Sequence, residues 1–375
     1  MKIFTSPARV KGNQLSPLAP NLRADDLFGR KNGREIYIKK MSSEEKWIPR
    51  KGPVVMAAGI ACNGNLFRVT PEGEAITLGH ARSFANLLAS QGFDVYIWHY
   101  SSSQRVYNRY VTRFCENSLY FGQQYRTPST LTFDQMVNQE MPLVLDLVAA
   151  DSESENISWI GFSLGGMLAY AYLSKHQDGR IRNLVTIGSP VSITHVVAKL
   201  IAQANGFSRA IGFEARTPMG RVSERFDLLG SIASRLPRSL LKFDTLVGLL
   251  YNPDNVRAPA LRTFFGKIVE PIPSGLEHSF GYFIRNGFAS LAGDFNYLDA
   301  MRTIKERELS SLFFFGQDDR LATPDSVRLA HEIISPTNQR NIIGLNGFRH
   351  NDLVIGHRSD SEVWEPALDF LIRNA

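Results

Sequence analysis

A serine between glycines, an aspartate and a histidine follow one another along this chain in an order that suits nucleophilic catalysis. Ser163 stands in Gly161-Phe162-Ser163-Leu164-Gly165, after the apolar run 157–160 and before the helix-like run 166–173. A strand, a sharp turn and a helix would lift the serine hydroxyl clear of a sheet, the arrangement called a nucleophile elbow. So tight a turn leaves no room for side chains two residues to either side, which accounts for Gly161 and Gly165. Downstream, the apolar run 312–315 runs into Gly316-Gln317-Asp318-Asp319-Arg320, so a buried strand ends in an acidic loop. Residues 341–345 predict a last short strand, and His350 follows in Gly347-Phe348-Arg349-His350. An imidazole in that loop could swing over the serine. The order serine, acid, histidine is one that such an array uses.

Each residue also has a plainer reading. A serine between glycines can be only a turn, and Asp319 could simply cap a helix starting near Pro324. Asp318 is the fallback acid, and His357 competes with His350. The other histidines, His80, His99, His176, His195, His278 and His331, have no comparable setting. It is the joint placement of the three residues that favours catalysis.

These residues resemble the α/β-hydrolase superfamily, and within it the acid-lipase-like branch. Asp319-Arg320-Leu321-Ala322-Thr323 is similar to that branch's D-x-L-A-D run, and His350-Asn351-Asp352-Leu353-Val354-Ile355-Gly356 to its H-x-D-F-x-W-G segment. Lys31-Asn32-Gly33-Arg34 resembles the opening hairpin turn, and Gly92-Phe93-Asp94-Val95-Tyr96-Ile97-Trp98 the G-Y-D-V-W strand. The likeness covers roughly residues 28–190 and 296–373. Two places depart from it: the family's H-G is Ala58-Gly59 here, and its N-x-R-G is His99-Tyr100-Ser101-Ser102. A more distant likeness, to polyhydroxyalkanoate synthases, sets Ser163 where those enzymes use cysteine.

The fold expected is α/β: a mostly parallel central sheet flanked by helices, with a mostly helical lid inserted after the sixth strand. Val54-Val55-Met56-Ala57-Ala58 reads as a buried strand leading into a loop at Gly59. Helical spacing marks residues 77–91 and 133–150, and residues 183–190 read as a strand. From residue 191 to about 295 the alternation of strands and helices fails, and leucines recur at helical spacing. The expected organisation is an irregular basic arm at 1–27, a first core segment at 28–190, a lid at 191–295 and a second core segment at 296–375. A covered site of that kind suits a hydrophobic acyl group.

Charge is unevenly spread. Residues 1–51 carry 12 Lys or Arg against 5 Asp or Glu, a surplus of seven, whereas the whole chain nets +6. The basicity therefore sits in the first seventh of the chain, either as a solvated arm or as a contact for an anionic membrane surface. Nucleic-acid binding has no aromatic platform or module behind it. Only Cys62 and Cys115 are present, so neither a disulfide framework nor a metal-ligand spacing is expected. The first nine residues lack a signal-peptide core, and no run is long and apolar enough for a bilayer, so a cytoplasmic protein is expected.

The resemblance implies a serine hydrolase of carboxylic, lipid or acyl esters, with Ser163 as nucleophile, His350 as base and Asp319 as its partner. The backbone N–H groups of Ile60 and Leu164 would form the oxyanion hole. No metal and no organic cofactor is called for. An acyltransferase would use the same three residues, and a silent ligand-binding member of the fold is the remaining alternative. Chain length and head group of the substrate, and oligomeric state, are not written in these patterns.

Overall fold

The computed structural model describes residues 2–6, 22–31, 33–70, 82–176, 178–193, 246–306, 309–335 and 340–375. Its frame is one sheet of nine strands in the order β1-β2-β3-β5-β4-β6-β7-β8-β9. These are β1 (Lys2–Ser6), β2 (Leu22–Lys31), β3 (Arg34–Ser43), β4 (Pro53–Ala57), β5 (Asp94–His99), β6 (Ile157–Phe162), β7 (Ile181–Ile187), β8 (Ser310–Gly316) and β9 (Ile342–Leu345). From β5 through β9 every pairing is parallel, whereas β1, β2 and β3 meet their neighbours antiparallel. The central strands β4 and β6 are buried at every position, as expected for strands covered on both faces. Their continuous apolar runs, rather than alternation, follow from that burial.

Helices cover the sheet. The first, α1 (Phe84–Ser90), starts at Ser83, whose hydroxyl accepts the Asn86 N–H. A capping box at Thr132 and Gln135 opens the helical run through a π-turn at Met136–Glu140 into α2 (Met141–Ser152). Then come α3 (Leu164–Lys175), α4 (Ala258–Thr263), α5 (Ser274–Asn286), α6 (Pro324–Ile334) and α7 (Glu365–Arg373).

Two expectations need correction at the N-terminus. Residues 1–27 were expected to form an irregular arm, but 2–6 and 22–27 belong to β1 and β2, and residues 1 and 7–21 lie outside the described residues. Pairing with the hairpin partner, not local periodicity, makes these strands. The extra edge strand also moves the insertion, which follows the seventh strand rather than the sixth. The basic surplus is partly internal as well. Lys39 faces Asp26 across the β2–β3 ladder, with Nζ 2.7 Å from Oδ1, and the Tyr37 and Tyr110 hydroxyls donate to the same carboxylate. Arg30 pairs with Glu35, and Lys40 with Asp94 and Asp151. A solvated arm is therefore not where all this charge resides.

The expected lid at 191–295 divides in two. Residues 194–245 lie outside the described residues. Residues 246–295 carry helices at 246–250, 258–268 and 274–286 and are woven into the core: Phe264, Phe265, Ile268, Phe280 and Phe283 join the same apolar cluster as β4, β5 and β6. The α5 helix docks where the Phe133 N–H donates to the Ser279 hydroxyl, with the Phe133 and Phe283 rings edge to face at 5.1 Å. No helix among the described residues is long and apolar enough to cross a membrane.

Candidate functional site

Ser163 lies between β6 and α3 with φ 50° and ψ −112°, left-handed backbone that a non-glycine residue adopts only under constraint. The constraint is local. Its N–H donates to the Ile187 carbonyl at 2.9 Å, and its carbonyl accepts the Gly166 and Met167 N–H groups at 3.1 Å. A Cβ on Gly161 would stand 2.5 Å from the Gly165 carbonyl carbon, and one on Gly165 would stand 2.6 Å from that of Ala57. Both glycines are therefore steric requirements of the turn. Gly166 is a third, since its Cβ would collide with the Ser189 side chain.

Across from Ser163, the loops after β8 and β9 bring the acid and the histidine together. They are zipped by the Gln317 N–H donating to the Leu345 carbonyl and the Asp318 N–H to the Phe348 carbonyl. Asp319 is 2 % exposed, and its Oδ1 accepts the Leu321 and Ala322 N–H groups at 2.8 and 3.0 Å. That leaves Oδ2 aimed at His350 Nδ1, 2.7 Å away. A carboxylate only accepts, so Nδ1 carries the proton, and Nε2 is left to accept the Ser163 hydroxyl at 2.9 Å. The three residues thus form one hydrogen-bonded line. Asp318 is exposed and takes no part in it, while His357 turns its Nδ1 to the Asn255 carbonyl instead.

The β4–Gly59 loop closes the other side. A Cβ on Gly59 would lie 2.9 Å from the Phe162 ring and 3.3 Å from Ser163 Cβ, so the loop backbone runs directly against the serine. The N–H groups of Ile60 and Leu164, expected from sequence to point at an oxyanion, have no acceptor among the described residues. The Cys62 N–H closes a turn onto the Gly59 carbonyl, with Ala61 left-handed at φ 56°. The two departures from the family pattern touch here: the Tyr100 hydroxyl donates to the Ala58 carbonyl at 2.5 Å.

Several residues of the site carry no signal in the sequence. Gly188, at φ 53°, passes beside the pair: a Cβ there would collide with Leu353 Cδ1 at 2.9 Å and stand in ordinary contact, 3.5 Å, with Asp319 Oδ2 and His350 Cε1. It sits inside what reads as an uninterrupted strand, and only its glycine identity hinted at a break. Asp352 is buried, and its carboxylate accepts the Arg349 and Asn252 N–H groups, pinning the histidine loop to the insertion. Burial, with Asp319 nearby, pushes its carboxyl up to about 8 against the lowering effect of those bonds. Glu270 is buried beside the Gly59 loop, and burial pushes it up to about 7. A cavity of about 400 Å³ lined by Arg34, Tyr120, Tyr125 and Glu140 lies elsewhere, and neither Ser163, Asp319 nor His350 borders it.

A family model described as a PGAP1-like alpha/beta domain matches residues 73–206, which include the elbow. The chain is 22 % identical over 298 residues to the poly(3-hydroxyalkanoate) polymerase subunit PhaC of Haloferax mediterranei, covering 77 % of this chain and 54 % of that one. It thus spans about half the length of the curated relative it matches. Among solved structures it is similar to a protein of Sulfolobus solfataricus assigned as a lipase, with TM-score 0.54, 13 % identity, and 97 % and 98 % of the two chains covered. It is also similar to E-2-(acetamidomethylene)succinate hydrolase, with TM-score 0.53, 12 % identity, and 94 % and 99 % covered. An esterase of Exiguobacterium antarcticum gives TM-score 0.50 at 15 % identity, with 92 % and 98 % covered. The strand order and these likenesses together make this an α/β-hydrolase-fold chain.

Proposed function

We propose that this protein is a serine hydrolase that cleaves carboxylic esters, lipid or other acyl esters foremost, through an acyl-Ser163 intermediate. The observation that carries the reading is the unbroken line from Asp319 Oδ2 to His350 Nδ1 and from His350 Nε2 to Ser163 Oγ, at 2.7 and 2.9 Å, on a left-handed elbow. His350 Nε2 takes the hydroxyl proton as Ser163 Oγ attacks the ester carbonyl carbon. Asp319 holds the imidazole tautomer and offsets the imidazolium charge. The tetrahedral oxyanion sits at the Ile60 and Leu164 N–H groups, each such donor contributing roughly 2.7–4 kcal/mol at the transition state. Its collapse expels the alcohol, which takes the proton from His350. Water, deprotonated by the same histidine, then attacks the acyl carbon, and collapse of the second intermediate breaks the bond to Ser163 Oγ, which takes the proton back from His350 as the acid leaves.

The likeness to a polymerase subunit favours a second reading, acyl transfer, in which an alcohol replaces water in the last step. The test is fluorophosphonate treatment followed by mass spectrometry, on wild type and Ser163→Ala, with products of an ester substrate assayed with and without an added alcohol. A single adduct on Ser163, absent from the variant, is expected, with the free acid as product. Product appearing only with the alcohol present would replace hydrolysis by transfer. Absence of any adduct, in detergent as well as without it, would sink the nucleophile assignment and leave a ligand-binding protein.

A further inference from the structure

The Gly59 loop does not hold itself in place. Ala61 at φ 56° carries the left-handed cost of a non-glycine residue, so outside contacts must fix it. They come from one segment of the insertion. The Glu270 N–H donates to the Ala61 carbonyl at 2.8 Å, the Asn63 N–H donates to the Ile268 carbonyl at 3.0 Å, and Cys62 bridges Val269. Beneath these backbone bonds lies the Glu270 carboxylate, 4 % exposed. Its Oε1 accepts Asn63 Nδ2 at 2.9 Å and the Val106 N–H at 3.2 Å, and its Oε2 accepts the Arg105 N–H at 2.8 Å. Arg105 in turn donates its guanidinium to the Phe265, Gly266 and Val269 carbonyls.

Each of the three groups bonded to that carboxylate is an N–H donor, so only an ionised or acceptor-rich group satisfies them all. Burying a carboxylate is costly, and apolar packing would serve stability as well or better. A buried carboxyl kept beside a strained loop that runs against Ser163 points instead to geometry. We propose that Glu270 is the positioning residue of the oxyanion loop, locking Asn63 and thereby the Ile60 N–H across from Ser163. The proposal rests on the Ser163 reading. It makes the insertion a working part of the site through residues 207 positions apart in the chain.

The experiment is steady-state hydrolysis of p-nitrophenyl butyrate, with melting curves and the rate of fluorophosphonate labelling, for wild type, Glu270→Leu, which removes both acceptor oxygens, Asn63→Ala and the double variant. Loss of the clamp leaves ester binding intact and weakens the oxyanion donors. Each single variant should therefore lose about 10²-fold in kcat and in labelling rate, with KM within about threefold of wild type. The double variant should be no worse than the singles, because one linkage is broken in each. Should Glu270→Leu fail to fold, Asn63→Ala reads the same linkage from the loop side. Singles with wild-type kcat, a loss confined to KM, or additive losses in the double variant would each overturn the proposal while leaving Ser163 in its role. A wild type that neither turns over nor labels would overturn both.

Discussion

The elbow and the Gly59 loop flank the same serine, yet they are secured by different means. Ser163 is held by the Ile187 carbonyl of the adjacent strand, by the first turn of its own helix, and by glycines whose replacement would strike neighbouring backbone. Ala61 is held by a segment more than two hundred residues away, through a buried carboxylate and a side-chain amide. The proposed nucleophile is thus built into the sheet, while the proposed oxyanion donors depend on a segment packed against it. The histidine loop stands between these cases. Its zip to β8 is part of the sheet, but Asp352 also ties it to Asn252 of the insertion.

The largest effect expected from this contrast lies on the sheet side. Asp319→Asn keeps the shape but offers the wrong tautomer partner to His350, so kcat should fall by about 10⁴-fold with little change in Tm. Asp318→Asn alters an exposed side chain next door and should change kcat less than twofold. Steady-state kinetics on the pair decides it. Equal, mild losses would mean that the sheet-side array is less fixed than its distances suggest, and the contrast with the Gly59 loop would weaken.

How much of this could be read from the chain follows the same division. Ser163, Asp319 and His350 were legible because each sits at the end of an apolar run, and the strand that positions it announces itself in adjacent residues. The glycines at 161 and 165 were legible for the same reason, since the constraint they answer is local. The Gly59 loop was legible in place but not in support. Nothing about an acid between Val269 and Pro271 signals a partner at Asn63, because hydrogen bonds across such separations leave no periodicity. β1 and the start of β2 were missed for a related reason, their strand character being conferred by cross-strand partners such as Lys39 opposite Asp26. The helices of 246–295 were expected, but not their merger with the core, because an apolar helical face does not say what it will meet.

An intermediate effect tests the mixed case. The Asp352 and Glu270 carboxyls are raised by burial to about 8 and about 7, above their ordinary values of 3.8 and 4.5. A raised carboxyl favours the folded state most below its unfolded value, and that advantage is lost as pH rises through the folded value. His99 works the other way: burial, with Lys39 and Arg68 nearby, holds it well below 6.5, so its stabilisation is lost as pH falls through that value. The window from pH 6.5 to 8.5 therefore isolates the carboxyls. Wild-type Tm should fall across it by roughly 1–2 °C for each kcal/mol lost, the unfolding entropy of a 375-residue chain being large. Asp352→Asn, which does not ionise, should lie below wild type at pH 6.5 and close part of that gap by pH 8.5. A gap that stays constant with pH would detach Asp352 from this balance and return the histidine loop to the sheet side of the contrast.

The smallest effect is the most discriminating, because it separates strain from function within one residue type of change. Ala61 and Glu153 are both left-handed at nearly equal φ, 56° and 55°, but Ala61 lies in the loop beside Ser163 and Glu153 ends α2 at the surface. Glycine relieves the left-handed cost at either position and adds backbone entropy to the unfolded chain, two terms of about 1 kcal/mol that largely cancel. Ala61→Gly and Glu153→Gly should therefore both shift stability by less than about 1 kcal/mol. Their effect on turnover should differ. A glycine at 61 widens the range of the Ile60 N–H that Glu270 and Asn63 otherwise narrow, and kcat should drop a few-fold at constant KM, whereas Glu153→Gly should leave kcat unchanged. Equal turnover in the two variants would mean that the contacts from the insertion already over-determine the loop, so that its own backbone stiffness contributes nothing to holding the oxyanion donors.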